Sequence, residues 1–248
     1  MKIFNHNAKA YQAVRSKITY PRKLYAYLNT LCTSHNLALD IGCGNGVSSC
    51  GLTDYFQQVN GIDIGDKLIA FAKENYPHIN FAVSSAEELQ TTSKFDLITS
   101  ATSFYWMDRS SIIGNLPNLL NDSGIFCVYK YDFPVIYGEL RDFINFELAT
   151  KWQPYRDKRL IEYDDTFDLL RDSQLFSEVE EFIIPNILEL TPLEIGQFFL
   201  STSYIANFIN ETQANNYAED FLERISSLAP DLEQVKVRFD IFGVYAKL

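Results

Sequence analysis

Positive charge is scarce in this chain: 21 Lys and Arg stand against 32 Asp and Glu in 248 residues, a formal charge of −11. A nucleic-acid surface displaces counterions with a basic stripe, so no DNA or RNA partner is expected. Cysteine is sparse too. Cys32, Cys43, Cys50 and Cys127 form no Cys-x-x-Cys pair; neither a zinc site nor a disulfide framework emerges, no metal is expected, and buried free thiols are the reading. Long apolar runs are missing. Nothing approaches the roughly 20 residues of a bilayer span, and Met1-Lys2-Ile3-Phe4-Asn5-His6-Asn7 lacks the apolar segment of a signal peptide. No membrane partner and a cytoplasmic location are therefore expected. Repeats, low-complexity tracts and Gly/Ser linkers are absent, which argues against a string of independent modules. The oligomeric state is not legible.

What is present is 47% hydrophobic residues, enough to bury a core. Pro21 suits the first position of a helix carrying Leu24, Leu28, Leu31 and Cys32 at helical spacing. A strand then ends in Ala38-Leu39-Asp40-Ile41-Gly42-Cys43-Gly44-Asn45-Gly46, and the pattern continues as helix 46–57, strand 58–64, helix 67–76, strand 79–83 and strand 95–100. Ile112, Ile113, Leu116, Leu119 and Leu120 line a helix face, and Asn121-Asp122-Ser123-Gly124 reads as a turn into strand 125–129. Strands alternating with helices predict a parallel α/β sheet covered on both faces. After Tyr131 the rhythm breaks. Helical stretches such as 139–151, a strand-like run 181–187, helices within 192–208 and 217–228, and an alternating edge strand from Val235 to Ile241 follow. The expectation is one domain, 1–248, with a helical cap inserted at about 132–176 and 190–230.

The chemistry concentrates at the glycine turn. Its glycines let backbone approach a ligand, but no Gly-Lys-Ser/Thr follows and Asp40 stands at the strand end, which suits a ligand without phosphates. Asp63, seventeen residues after Gly46, can accept hydrogen bonds from both ribose hydroxyls or serve as a helix cap. Ala86 and Glu87 follow the third strand, where they touch an adenine edge or begin a helix. Phe104, Tyr105 and Trp106 follow the fourth strand and either wall off a dry site or pack beneath the next helix. The three histidines, His6, His35 and His78, lie elsewhere, so no general base is evident after the fourth strand.

The Asp-Ile-Gly-Cys-Gly-Asn-Gly string, Asp63, the Ala-Glu-Glu-Leu stretch and Tyr105-Trp106-Met107-Asp108 together resemble class I methyltransferases over about residues 8–131. Phe95-Asp96-Leu97-Ile98-Thr99-Ser100 with the Tyr-Trp-Met-Asp loop is similar to the trans-aconitate methyltransferase-like group, which commonly has His where Tyr105 stands. The N-terminal Tyr11, Arg15 and Tyr20-Pro21 resemble a motif of that group beside cofactor and acceptor. The resemblance implies a Rossmann-like doubly wound sheet of about seven strands, mostly parallel with an antiparallel C-terminal strand, plus a helical cap. It implies S-adenosyl-L-methionine as cofactor, held by Asp40, Gly42, Cys43, Gly44, Gly46, Asp63, Ile64, Ala86, Glu87 and Ala101. Tyr11, Arg15, Tyr20, Tyr105, Trp106 and Tyr204 are candidates for a small-molecule acceptor, with Tyr105 and Trp106 nearest the chemistry; any of the tyrosines has core packing as its alternative, and Arg15 has a surface ion pair. Because a carboxylate needs no base, an acidic oxygen is the expected acceptor. A nicotinamide oxidoreductase shares the turn and Asp63 but needs a third glycine at a spacing this loop lacks. A binding protein without catalysis is the other alternative.

Overall fold

The computed structural model describes residues 18–138, 140–162 and 164–248. Tyr11 and Arg15 lie outside the described residues. In chain order the elements are α1 (Arg22–Leu31), β1 (Leu37–Ile41), α2 (Val47–Leu52), β2 (Gln58–Asp63), α3 (Asp66–Asn75), β3 (Asn80–Val83), β4 (Phe95–Ala101), α4 (Arg109–Leu119), β5 (Leu120–Tyr131) and β6 (Val135–Ile136). They continue as α5 (Leu140–Glu147), α6 (Thr166–Asp172), β7 (Glu178–Ile184), β8 (Ile187–Leu190), α7 (Pro192–Leu200), α8 (Ser203–Thr212), α9 (Tyr217–Leu228), β9 (Val235–Arg238) and β10 (Ile241–Lys247). The chain forms two compact units. The larger comprises Thr19–Asp132, Asp164–Ile184 and Ile241–Leu248; the smaller is built from residues within 133–162 and 185–240.

The larger unit holds a seven-stranded sheet in the order β3-β2-β1-β4-β5-β10-β7. β1 to β5 pair in parallel, and β10 is antiparallel to both β5 and β7, so the expected mostly parallel, doubly wound sheet is present. Successive side chains of a strand face opposite sides, and here each side has its own apolar layer. Ala38, Leu97, Ile125 and Cys127 meet Leu24, Leu28, Leu52 and Ile69 on one face. Leu39, Ile98 and Phe126 meet Ile112, Leu116 and Leu119 on the other. This two-sided burial is why the central strands read as continuous apolar runs.

Three expectations are corrected. The alternating run from Val235 to Ile241 is not one edge strand: it divides at Phe239-Asp240 into β9, central in the smaller unit's sheet, and β10, interior to the larger sheet, whose edges are β3 and β7. A glycine, Gly243, sits in β10 because a Cβ there would run into the Phe182 ring on β7. The turn expected at Asn121 to Gly124 lies within β5 instead, where the ladder to β4 jumps from Phe95 opposite Leu120 to Leu97 opposite Ile125. The strand expected at 181–187 runs Glu178–Ile184 and stops at Pro185, which has no N–H to donate.

The smaller unit contains the three-stranded antiparallel sheet β6-β9-β8 and the helices α5, α7, α8 and α9. Its core is aromatic. Trp152 is fully buried at the end of a π-helical turn, Leu148–Trp152, that prolongs α5, and it stacks on Phe199 at 5.3 Å. The Trp152 indole N–H donates to the Tyr217 hydroxyl at 2.8 Å, Tyr217 donates to the buried Glu147 carboxylate, and Lys151 pairs with the other Glu147 oxygen at 2.8 Å. No helix among the described residues is long and apolar enough to cross a membrane.

Candidate functional site

Because β1 to β4 are parallel, their last residues share one sheet edge, and most expected site residues lie there. After Ile41 the backbone is left-handed at three glycines, with φ of 66 at Gly42, 56 at Gly44 and 83 at Gly46, all in degrees. Such conformations cost glycine little and other residues more. Two of these positions are also sterically closed. A Cβ on Gly42 would lie 2.5–2.7 Å from Met107 and Ser103, and one on Gly46 2.8 Å from the Phe81 ring. Gly44 differs: a Cβ there would meet nothing within 4 Å, so the middle of the turn fronts open space. The Cys43 thiol is buried below, and burial pushes its pKa well above the usual thiol value.

Asp63, the last residue of β2, ties the turn to the neighbouring strand. One carboxylate oxygen accepts the Gly44 N–H at 3.0 Å and the other the Gly65 N–H at 2.7 Å. Burial raises its pKa despite these backbone donors. Ile64 beside it is 46% exposed and Val83, opposite Asp63 at the end of β3, is 55% exposed, an apolar pair on the same edge. Ala86 is buried in the apolar layer under α4. Glu87 is half-buried; burial raises its pKa, but donors from Ser85 and the Asp108 N–H outweigh this and hold it below the usual carboxylate value.

Asp40 is fully buried. Ser49 donates to its Oδ2 at 2.7 Å and Thr99 to its Oδ1 at 2.9 Å. Burial pushes its pKa up to about 6 against these stabilising hydroxyls, so it is a fixed negative group behind the turn at neutral pH. Neither Ser49 nor Thr99 stood out in the sequence. The signal for Thr99 is register, since it is paired with Asp40 across β1 and β4.

Beyond Ala101, the last residue of β4, Thr102 is left-handed, with a φ of 54 degrees, although it is β-branched. Its N–H donates to Tyr129 O at 2.8 Å, and its hydroxyl lies 2.9 Å from the Tyr20 hydroxyl. A 3-10 turn, Phe104–Trp106, follows. Phe104 is buried against Phe126, while Tyr105 and Trp106 are half-buried with ring centroids 5.2 Å apart. Asp108 then caps α4 by accepting the Ser111 N–H at 3.1 Å, the usual service of a helix-capping carboxylate. Tyr20 thus joins the β4 loop, as its place before α1 permits. Tyr204 belongs to the smaller unit, where it is buried beside Trp152 at 6.1 Å.

Residues 39–128 match the family described as a methyltransferase domain. The chain is 29% identical over 134 residues to a malonyl-[acyl-carrier protein] O-methyltransferase of Acetivibrio thermocellus, covering 49% of this chain and 45% of that protein. It is 29% identical over 96 residues to trans-aconitate 2-methyltransferase of Agrobacterium fabrum, 38% of each chain. The chain spans about half the length of the first curated relatives it matches. A proposed type II methyltransferase of Anaeromyxobacter dehalogenans shares the fold, with TM-score 0.74 at 20% identity over 92% of this chain and 97% of that one.

Proposed function

We propose that a chain carrying a methyltransferase domain over residues 39–128 binds S-adenosyl-L-methionine at the carboxyl edge of its larger sheet and methylates an acidic oxygen of a small molecule. The observation that carries this reading is the joint between Gly44 and Asp63. The turn presents open space at Gly44, and the carboxylate that anchors it stands at the end of the adjacent strand, the place a ribose diol is read. The other donors fit the same cofactor. Ile64 and Val83 offer apolar surface to an adenine ring, and the buried negative charge of Asp40 favours a cation in front of the turn over a phosphate.

When bound, the cofactor supplies a methyl group on a positively charged sulfur. The chain's contribution is to hold the acceptor in line and keep water out, for which Ala101, Tyr105 and Trp106 form the wall on the β4 side. A carboxylate is ionised at neutral pH and needs no proton removed, in accord with a sequence that has no histidine after His78. The names of two relatives, a malonyl-[acyl-carrier protein] O-methyltransferase and a trans-aconitate 2-methyltransferase, support an acidic acceptor. Arg15 and Tyr11 are the acceptor-side candidates, with Arg15 as the carboxylate anchor.

Calorimetric titration with S-adenosylhomocysteine tests the cofactor, and absence of binding rejects the reading. A methyl-transfer screen tests the acceptor: turnover of di- or tricarboxylates, with a KM raised by Arg15→Ala while S-adenosylhomocysteine affinity is unchanged, supports it. Turnover of amines or phenols alone rejects the acidic acceptor and leaves the transferase standing.

A further inference from the structure

The least comfortable backbone on the ligand edge is at Thr102, and its surroundings explain why it persists. Thr102 is β-branched yet left-handed, and such conformations survive only where neighbouring groups over-determine them. It is held from two sides: its N–H by Tyr129 O at 2.8 Å, its hydroxyl by the Tyr20 hydroxyl at 2.9 Å. Tyr20 is itself fixed, its ring edge-on to Tyr129 at 5.4 Å and tilted against Tyr131 at 6.3 Å. The next residue, Ser103, donates to Ile41 O at 3.2 Å and contacts Ser100 Oγ at 2.9 Å. Ser103 and Met107 then occupy the space that a Cβ on Gly42 would need. One continuous chain of contacts therefore runs from Tyr20 through Thr102 to the floor of the glycine turn and to the Tyr105-Trp106 pair.

We infer that Tyr20 and Thr102 form a positioning clamp: their hydroxyl pair holds Thr102 left-handed and so seats the Ser103–Met107 loop against the glycine turn. Tyr20 on this account acts through Thr102 and is not an acceptor contact. Burial, followed by the neighbouring Tyr131, raises the Tyr20 pKa well above the usual phenol value, so the clamp is a neutral hydrogen bond. The inference rests on the proposed function only for the identity of the ligand at the turn; the loop itself is read without ligand.

The chain has two tryptophans, and they report separately. Trp106 lies half-buried in the loop, and Trp152 is fully buried in the smaller unit. Acrylamide quenching in a Trp152→Phe background therefore reads the loop, and thermal unfolding of the same proteins shows that they fold. Tyr20→Phe and Thr102→Val should each increase Trp106 quenching and weaken S-adenosylhomocysteine binding about fivefold, the usual weight of one such hydrogen bond. The double variant should be no worse than either single one, and Thr102→Ser, which keeps the hydroxyl, should restore the parental values. Unchanged Trp106 quenching in folded Tyr20→Phe, additive effects in the double variant, or failure of Thr102→Ser to rescue overturns the clamp. If the parent binds no S-adenosylhomocysteine, the proposed function fails, and the quenching cycle still decides the clamp.

Discussion

Thr99 stands directly beside Asp40 across the β1–β4 ladder, and its hydroxyl donates to Oδ1 of that buried carboxylate at 2.9 Å. Ser49 completes the arrangement at Oδ2. The charge behind the glycine turn is thus fixed in direction but costly to hold, and its titration has two opposite consequences.

The Asp40 pKa is raised from 3.8 to about 6 in the folded chain. The folded state therefore binds the proton more tightly than the unfolded state, so this group's contribution to stability is best below about pH 4 and is lost as pH rises through about 6. Keeping it ionised at neutral pH costs about 3 kcal/mol. Asp40→Asn should flatten that part of the urea-unfolding profile between pH 4 and 7. Cofactor affinity should move the other way, falling as acid protonates Asp40 below about pH 6; equal calorimetric affinities at pH 5 and pH 7.5 would contradict this.

Asp63→Ala removes the acceptor of both the Gly44 and Gly65 N–H groups along with the expected ribose contact. S-adenosylhomocysteine binding should weaken about ten- to hundredfold, an energy of about 1.5–3 kcal/mol. Calorimetry decides, and an unchanged affinity removes Asp63 from the site.

Gly44→Ala and Gly46→Ala separate binding from folding. The Gly44 Cβ would enter open space, so stability should drop by about 1 kcal/mol, from the left-handed backbone alone, while binding is lost. The Gly46 Cβ would meet the Phe81 ring at 2.8 Å, and overpacking added to strain should cost about 2–3 kcal/mol. Thermal melts beside ligand titrations give the comparison.

In the smaller unit, Tyr217→Phe deletes the donor to Glu147 and the acceptor of the Trp152 indole N–H at once. Two buried polar groups lose a partner, which should destabilise by about 2–3 kcal/mol. Urea unfolding followed by tryptophan fluorescence reads this, since Trp152 reports the unit directly.

The larger sheet was legible because its signals are local. Apolar runs bounded by glycine and Asp63 at the next strand end fix the turn and its neighbour without reference to distant residues. Partnerships set by strand register were not legible: Thr99 looks like any β4 residue until β4 is laid beside β1, and Thr102 gives no hint of its left-handed backbone. The misreading of Val235 to Ile241 has the same source, since alternation continues across Asp240 although the two halves join different sheets. Tyr204 lies in an aromatic core, the alternative that the sequence leaves open for each of the candidate tyrosines.

The interior place of β10 sets an order of assembly. Its partners β5 and β7 precede it in the chain, and β5 is separated from it by residues 132–240. Until residues 241–247 leave the ribosome, one edge of each of those strands is an open hydrogen-bonding template. Pairing across so long a loop is slow. The nascent chain can therefore complete the glycine turn early, yet remains prone to strand-edge association until its last strand is inserted.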